Sequence, residues 1–125
     1  MAVRVRESIS VHDLAVEASA RAYQLQGYEA HTRNRPDPKS SGQAAFDVVV
    51  PELRRVEEIE TAETLATLDL KRLERCRRRG FQVWVLVPMG ALPAAHAKLK
   101  GTVDHIVPFW LMDGDRVRFG PPRLP

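Results

Sequence analysis

Three carboxylates carry the strongest chemical signal in this chain of 125 residues. Asp47 interrupts an apolar, β-branched run, Phe46-Asp47-Val48-Val49-Val50, where a charge is rare unless it is paired or binds something. Glu58 and Glu60 stand two apart in the next extended segment, so both project from one face and Ile59 from the other, toward a covering helix. If the two segments form a hairpin, Asp47 lies near Glu58. Carboxylates gathered this way repel one another and raise one another's pKa. A divalent cation removes that penalty, and Mg²⁺, which prefers carboxylate oxygens and water, suits the task, with Mn²⁺ as its substitute.

The elements that must hold these residues can be read from periodicity and breakers. Ser10 is a helix N-cap with Asp13 at the capping-box position, and Val11, Leu14, Ala15, Ala18, Ala22 and Leu25 form an apolar stripe that ends at Gln26-Gly27. Residues 28–33 alternate weakly as a strand, and 34–43 form a loop with two prolines, two serines and a glycine. Strands follow at 45–50 and 53–61, paired across a short turn, then one long helix over 62–79 that Gly80 caps. The almost wholly apolar run 81–87 suits a central strand covered on both faces. A short helix over 93–100 leads to a strand over 104–112 that Pro108 makes edge-like or irregular. Asp113-Gly114 turns the chain into a short return strand over 116–119, and 121–125 reads as a tail. The fold class is α/β, a mixed central sheet flanked by helices in the order α-β-β-β-α-β-α-β.

Composition excludes other classes. With 44% hydrophobic and 28% charged residues the chain is neither disordered nor fibrous, and no apolar run reaches the roughly 18 residues of a membrane-spanning helix. The opening Met-Ala-Val-Arg-Val-Arg has no apolar signal segment, so a cytoplasmic protein is expected. Cys76 is the only cysteine, which rules out an intrachain disulfide and a cysteine-rich zinc site. The net charge of +3 is compatible with nucleic acid without requiring it.

The order of helix, strand, Asp-bearing strand, acidic strand, helix and strand resembles the PD-(D/E)xK nuclease superfamily, especially its archaeal Holliday-junction-resolvase branch. The residues that carry the resemblance are Glu17 in the first helix, Gly27-Tyr28 at its exit, Asp47, and Glu58-Ile59-Glu60-Thr61; it covers residues 8–112 of a single domain over 1–125. The resemblance implies a restriction-endonuclease-like sheet and an endonuclease that hydrolyses DNA phosphodiester bonds. Asp47 and Glu58 would be Mg²⁺ ligands, with Glu17 completing the shell. Asp47, Glu58 and Glu60 would form the catalytic set, the metal orienting and acidifying a water. Two positions depart from the family pattern. Phe46 replaces the motif proline, and Glu60 stands where the lysine is usual, as it does in some restriction enzymes that resemble this family. Lys39 and Lys71 are candidate replacements for that lysine. With Arg75 and Arg78 they are also candidates for contact with DNA phosphates. A homodimer is expected by the same analogy, with the apolar strand over 107–111 as its interface. The alternative that Glu60 keeps open is a catalytically inactive relative, retained as a DNA-binding or protein-assembly module.

Plainer roles stand beside each of these. Glu57, Glu58 and Glu60 read equally as a solvated edge-strand face paired with Arg54 and Arg55. Asp47 reads as a buried ion pair with Arg33, and Glu17 as a surface i,i+4 partner of Arg21. Asp69 belongs on the helix rim. Arg75, Arg77, Arg78 and Arg79 complement a helix C-terminus without any ligand. His12, His31, His96 and His105 have no ligand spacing, and Trp84 and Trp110 belong to the core. Pro36-Asp37 lies in a loop, off the strand where the motif belongs. A phosphoacceptor domain needs its aspartate at the C-terminal end of a strand, whereas Asp47 is near the start of one.

Overall fold

The structure, a computed structural model, describes residues 10–36 and 45–123. Helix α1 (Val11–Leu25) starts where the Ser10 side chain accepts the backbone N–H of Asp13 and ends at Gln26, with Gly27 at φ +93°. Strands β1 (His31–Asn34), β2 (Phe46–Val50) and β3 (Arg55–Ile59) follow, β2 and β3 joined by a 3-10 turn over Pro51–Leu53. Helices α2 (Ala62–Ala66) and α3 (Leu70–Arg78) lead to β4 (Gln82–Pro88). A 3-10 turn, helix α4 (Leu92–Leu99), β5 (His105–Met112) and β6 (Arg116–Phe119) complete the described chain.

The six strands form one sheet in sequence order. The β1–β2, β2–β3 and β5–β6 pairs are antiparallel, and β3–β4 and β4–β5 are parallel. Each parallel step is made by a helical crossover, as parallel neighbours require. Alternation along β4 divides the core. Trp84 and Leu86 pack with Ala15, Val16, Ala20 and Tyr23 of α1, whereas Val83, Val85 and Val87 pack with Leu65, Leu73, Cys76, Ala95 and Leu99 of the later helices. Helices therefore cover both faces of the central strand, which explains why its sequence is apolar throughout.

Four expectations are corrected. The buried face of α1 is Ala15, Val16, Ser19, Ala20 and Tyr23, while Val11 and Leu25 are exposed. The stripe turns because two polar residues, Ser19 and Tyr23, bury themselves on a charged partner described below. The long helix over 62–79 is two helices: the Lys98 ammonium ties off the Leu65 and Ala66 carbonyls at 2.6 and 2.8 Å, and Asp69 caps a fresh start at Leu70. Strand β5 is not an edge, because β6 lies beyond it. The Pro108 carbonyl accepts the Gly120 N–H at 2.9 Å, so the donor that proline lacks falls at the end of the β5–β6 ladder and not against β4. A Cβ on Gly120 would meet Pro108 Cγ at 2.7 Å, which is why only glycine fits that crossing. Finally, the tail is anchored, since Arg123 is buried.

Val107, Pro108 and Phe109 are consumed by this chain's own core, which leaves Leu111 and Met112 as the exposed apolar residues of β5. No helix among the described residues is long and apolar enough to cross a membrane.

Candidate functional site

Main-chain pairing of β2 with β3 runs from Val50–Arg55 to Val48–Glu57, a register that sets Asp47 opposite Glu58. There the side chains take over from the ladder. Glu58 Oε1 accepts the Asp47 N–H at 3.1 Å, and Asp47 Oδ2 accepts the Ile59 N–H at 2.8 Å. Each carboxylate thus satisfies a backbone donor of the other's strand. Glu60, one strand period beyond Glu58, accepts from the Thr64 hydroxyl at 3.1 Å. Asp47, Glu58 and Glu60 therefore converge on one end of the β2–β3 hairpin.

Arg72 and His12 face this cluster from the helices on opposite sides of the sheet. Arg72 of α3 places Nη2 2.5 Å from Glu58 Oε2, with its guanidinium 4.4 Å over the Phe46 ring. His12 of α1 brings Nε2 to 3.3 Å from Asp47 Oδ1 and Nδ1 to 3.3 Å from Asp13 Oδ1. Asp13 in turn receives Arg33 at 2.8 Å, and Arg33 also reaches Glu17 at 3.3 Å. Burial and then the charge of Asp47 push the Glu58 carboxyl up to about 7, in spite of Arg72. Burial also raises Glu60 above the usual carboxylate range, outweighing the Thr64 hydrogen bond, with Asp47 adding to the rise. Burial by itself would lower His12, but the Asp47 charge and the bonds to Asp13 and Asp47 raise it overall.

The donor set, all carboxylates, has the chemistry Mg²⁺ prefers. In this arrangement protein donors already engage the oxygens. Both oxygens of Asp47 and both of Glu58 already accept from Ile59, His12, Asp47 and Arg72. Among the described residues no three His, Cys, Asp or Glu side chains are disposed to hold a metal. Glu17 is held by Arg33 and lines an open groove with Ala20, Arg21, Gln24, Ala30 and Thr32. It joins Asp47 through the relay of Arg33, Asp13 and His12, and the ligand set of Asp47, Glu58 and Glu17 is not formed.

Glu57 overturns the solvated-edge expectation. It is wholly buried, on the face opposite Glu58. Its carboxylate accepts hydrogen bonds from the Ser19 and Tyr23 hydroxyls and from Arg123 Nη1, the last at 2.9 and 3.1 Å. Arg123 also donates to Ser19 Oγ at 2.5 Å and stacks over Tyr23 at 4.1 Å and Phe119 at 4.8 Å. Burial, reinforced by the Glu57 charge, drives the Tyr23 phenol well above its ordinary value. Glu58 and Glu60 are nearly as buried, at 6% and 7% exposure. Arg54 binds the Arg79 and Gly80 carbonyls instead, and Arg55 binds Tyr23 and lies over Trp84.

Of the basic candidates, Lys71, Arg75 and Arg78 lie exposed on α3, at i, i+4 and i+7, on a single helix face. Lys39 lies outside the described residues, as does the Asp37 of the loop pair. Arg77 is spent on the Gly101 carbonyl at 3.1 Å and on Asp104 at 3.5 Å. Asp69, expected on the rim, is the cap of α3. Burial pushes the Cys76 thiol up to about 11, which leaves it unreactive at neutral pH.

Sequence reasoning missed Arg72, His12 and Arg123. Arg72 is one turn before Cys76 on the buried flank of α3, a position visible only once the helix is restarted at Asp69. His12 carries no spacing signal, because its partner Asp47 is supplied by the sheet. Searches of family models, curated proteins and solved structures find nothing that matches the chain.

Proposed function

We propose that this chain is a nuclease-like domain that binds nucleic acid without metal-dependent hydrolysis, a non-catalytic relative of the PD-(D/E)xK superfamily. The Glu58–Arg72 ion pair carries this reading. It sets a protein cation against one of the two carboxylates that the nuclease reading would give to a metal. Support for nucleic acid as the partner comes from α3 itself: Lys71, Arg75 and Arg78 form an exposed cationic row on the helix that carries Arg72. Such a row matches phosphate backbones by charge and not by base identity, so binding should be tolerant of sequence and sensitive to salt. The restriction-endonuclease-like order belongs to the same proposal. An antiparallel hairpin bearing Asp47 and Glu58, followed by a helical crossover to a parallel central strand, is the arrangement the resemblance implies.

The test is fluorescence anisotropy of labelled single-stranded, duplex, flap and four-way-junction DNA over a salt series in EDTA. Lys71→Ala, Arg75→Ala and Arg78→Ala should each weaken binding and lower the log–log salt slope by about 1. Absence of binding to every DNA would shift the reading to protein assembly.

One observation favours the runner-up, a Mg²⁺-dependent endonuclease. Three carboxylates, Asp47, Glu58 and Glu60, converge where one arginine reaches them, so the cluster holds a surplus of negative charge that a divalent cation would relieve. DNA cleavage that requires Mg²⁺ or Mn²⁺ would favour it.

A further inference from the structure

We infer that Arg72 is the resident cation of the acidic centre, and that together with His12 it keeps Asp47, Glu58 and Glu60 closed to divalent metal ions. The inference rests on the nuclease-like reading of that centre and supplies the reason it would be silent.

Arg72 is placed by three independent contacts. Asp69 Oδ1 accepts the backbone N–H groups of Lys71 and Arg72 at 3.1 and 3.3 Å, which fixes the first turn of α3. Phe46, the residue at the motif-proline position, provides the ring against which the guanidinium lies at 4.4 Å. Glu58 Oε2 takes Nη2 at 2.5 Å. The other terminal nitrogen, Nη1, is buried without a hydrogen-bond partner. An unpaired buried donor is costly, so the guanidinium is held here by the ring and the Glu58 charge against the loss of that bond. A proline at 46 would offer no such ring, and the aromatic substitution and the arginine form one unit.

Closure follows from the donors that occupy the carboxylate oxygens. Three carboxylates face Arg72 and His12, and each oxygen of Asp47 and Glu58 has a donor. A divalent ion entering the cluster would meet the Arg72 guanidinium at a few ångströms, in a site where water screens poorly. Removing Arg72 frees Glu58 Oε2 and enlarges the cluster's surplus of negative charge, the condition under which carboxylate groups recruit a divalent cation.

Mn²⁺ is the probe, read by the loss of its free-ion EPR signal. Wild-type protein should leave the signal of millimolar Mn²⁺ free. Arg72→Gln should bind Mn²⁺ at least about tenfold more tightly, and Glu58→Gln in the Arg72→Gln background should abolish the gain. Wild-type binding in the micromolar range that Asp47→Asn removes would overturn the inference, as would a folded Arg72→Gln, checked by circular dichroism, that binds no better than wild type. If Arg72→Gln fails to fold, the wild-type titration decides by itself. The anisotropy assay separates the two claims. Wild-type protein that binds neither DNA nor Mn²⁺ defeats the nucleic-acid reading and leaves Arg72 as the resident cation, whereas Mn²⁺ binding alongside DNA binding defeats only the closure.

Discussion

Glu57 and Arg123, 66 residues apart in sequence, form an ion pair in which the carboxylate is wholly buried and the guanidinium nearly so. Glu57 faces α1 and the chain's last described residue, while its neighbour Glu58 faces α3. Strand β3 is thus gripped from both sides by successive glutamates, each with its own arginine. The grip on Glu57 fixes the strand that presents Glu58 and Glu60. Arg123→Met should cost about 3–5 kcal/mol in urea denaturation, because it leaves a buried carboxylate without its counter-ion. Adding Glu57→Gln should restore part of the loss. A cost below about 1 kcal/mol would mean that the C-terminal segment does not anchor β3.

Stability should fall as pH rises from about 4.5 to about 7. Glu58 is raised to about 7 in the folded chain, from the ordinary 4.5. Between those values the folded chain holds a proton that the unfolded chain has released. The contribution is complete below the lower value and lost through the upper one. His12 acts in the same direction, since its raised pKa gives stability that is present below the ordinary 6.5 and lost as pH passes its folded value. The Glu58 share is at most about 3 kcal/mol. Urea midpoints across this range should decline in wild type and be markedly flatter in Glu58→Gln. An equal decline in both would place the titrating group elsewhere.

His12 should titrate above its ordinary value and depend on Asp47 for doing so. Burial opposes its protonation, and the Asp47 charge, with the bonds to Asp13 and Asp47, overcomes that opposition. In Asp47→Asn the imidazole pKa, followed by NMR of the ring carbons, should drop. An unchanged value would remove His12 from the acidic centre.

Much of this molecule was legible in its sequence, and the reasons for the exceptions are specific. The alternation and β-branching of Phe46–Val50 and the continuous apolar run of β4 led directly to the hairpin and the central strand. Asp47, Glu58 and Glu60 were recognisable because a charge inside an apolar strand needs a partner. What escaped was every cation that serves as one. Arg33, expected on Asp47, goes to Asp13 and Glu17, and Asp47 takes His12 instead. Arg123 looked like part of a tail, because nothing local marks a residue whose partner is 66 positions away. Glu57 looked solvated because its sequence neighbours are charged, although strand periodicity alone sends it to the face opposite Glu58. The helix break at Thr67–Asp69 was hidden by a nearly continuous apolar stripe. It is enforced from outside, by Lys98 reaching across from α4 to the end of α2.

The most direct test of an internally neutralised acidic centre is to incubate the wild-type protein with labelled duplex, flap and four-way-junction DNA in Mg²⁺, Mn²⁺ or EDTA, with Asp47→Ala alongside. DNA bound equally well in metal and in EDTA, with no strand cut in any condition, is the expected result. Cleavage that appears with Mg²⁺ or Mn²⁺, stops in EDTA and is lost in Asp47→Ala would contradict it and make the chain an active nuclease.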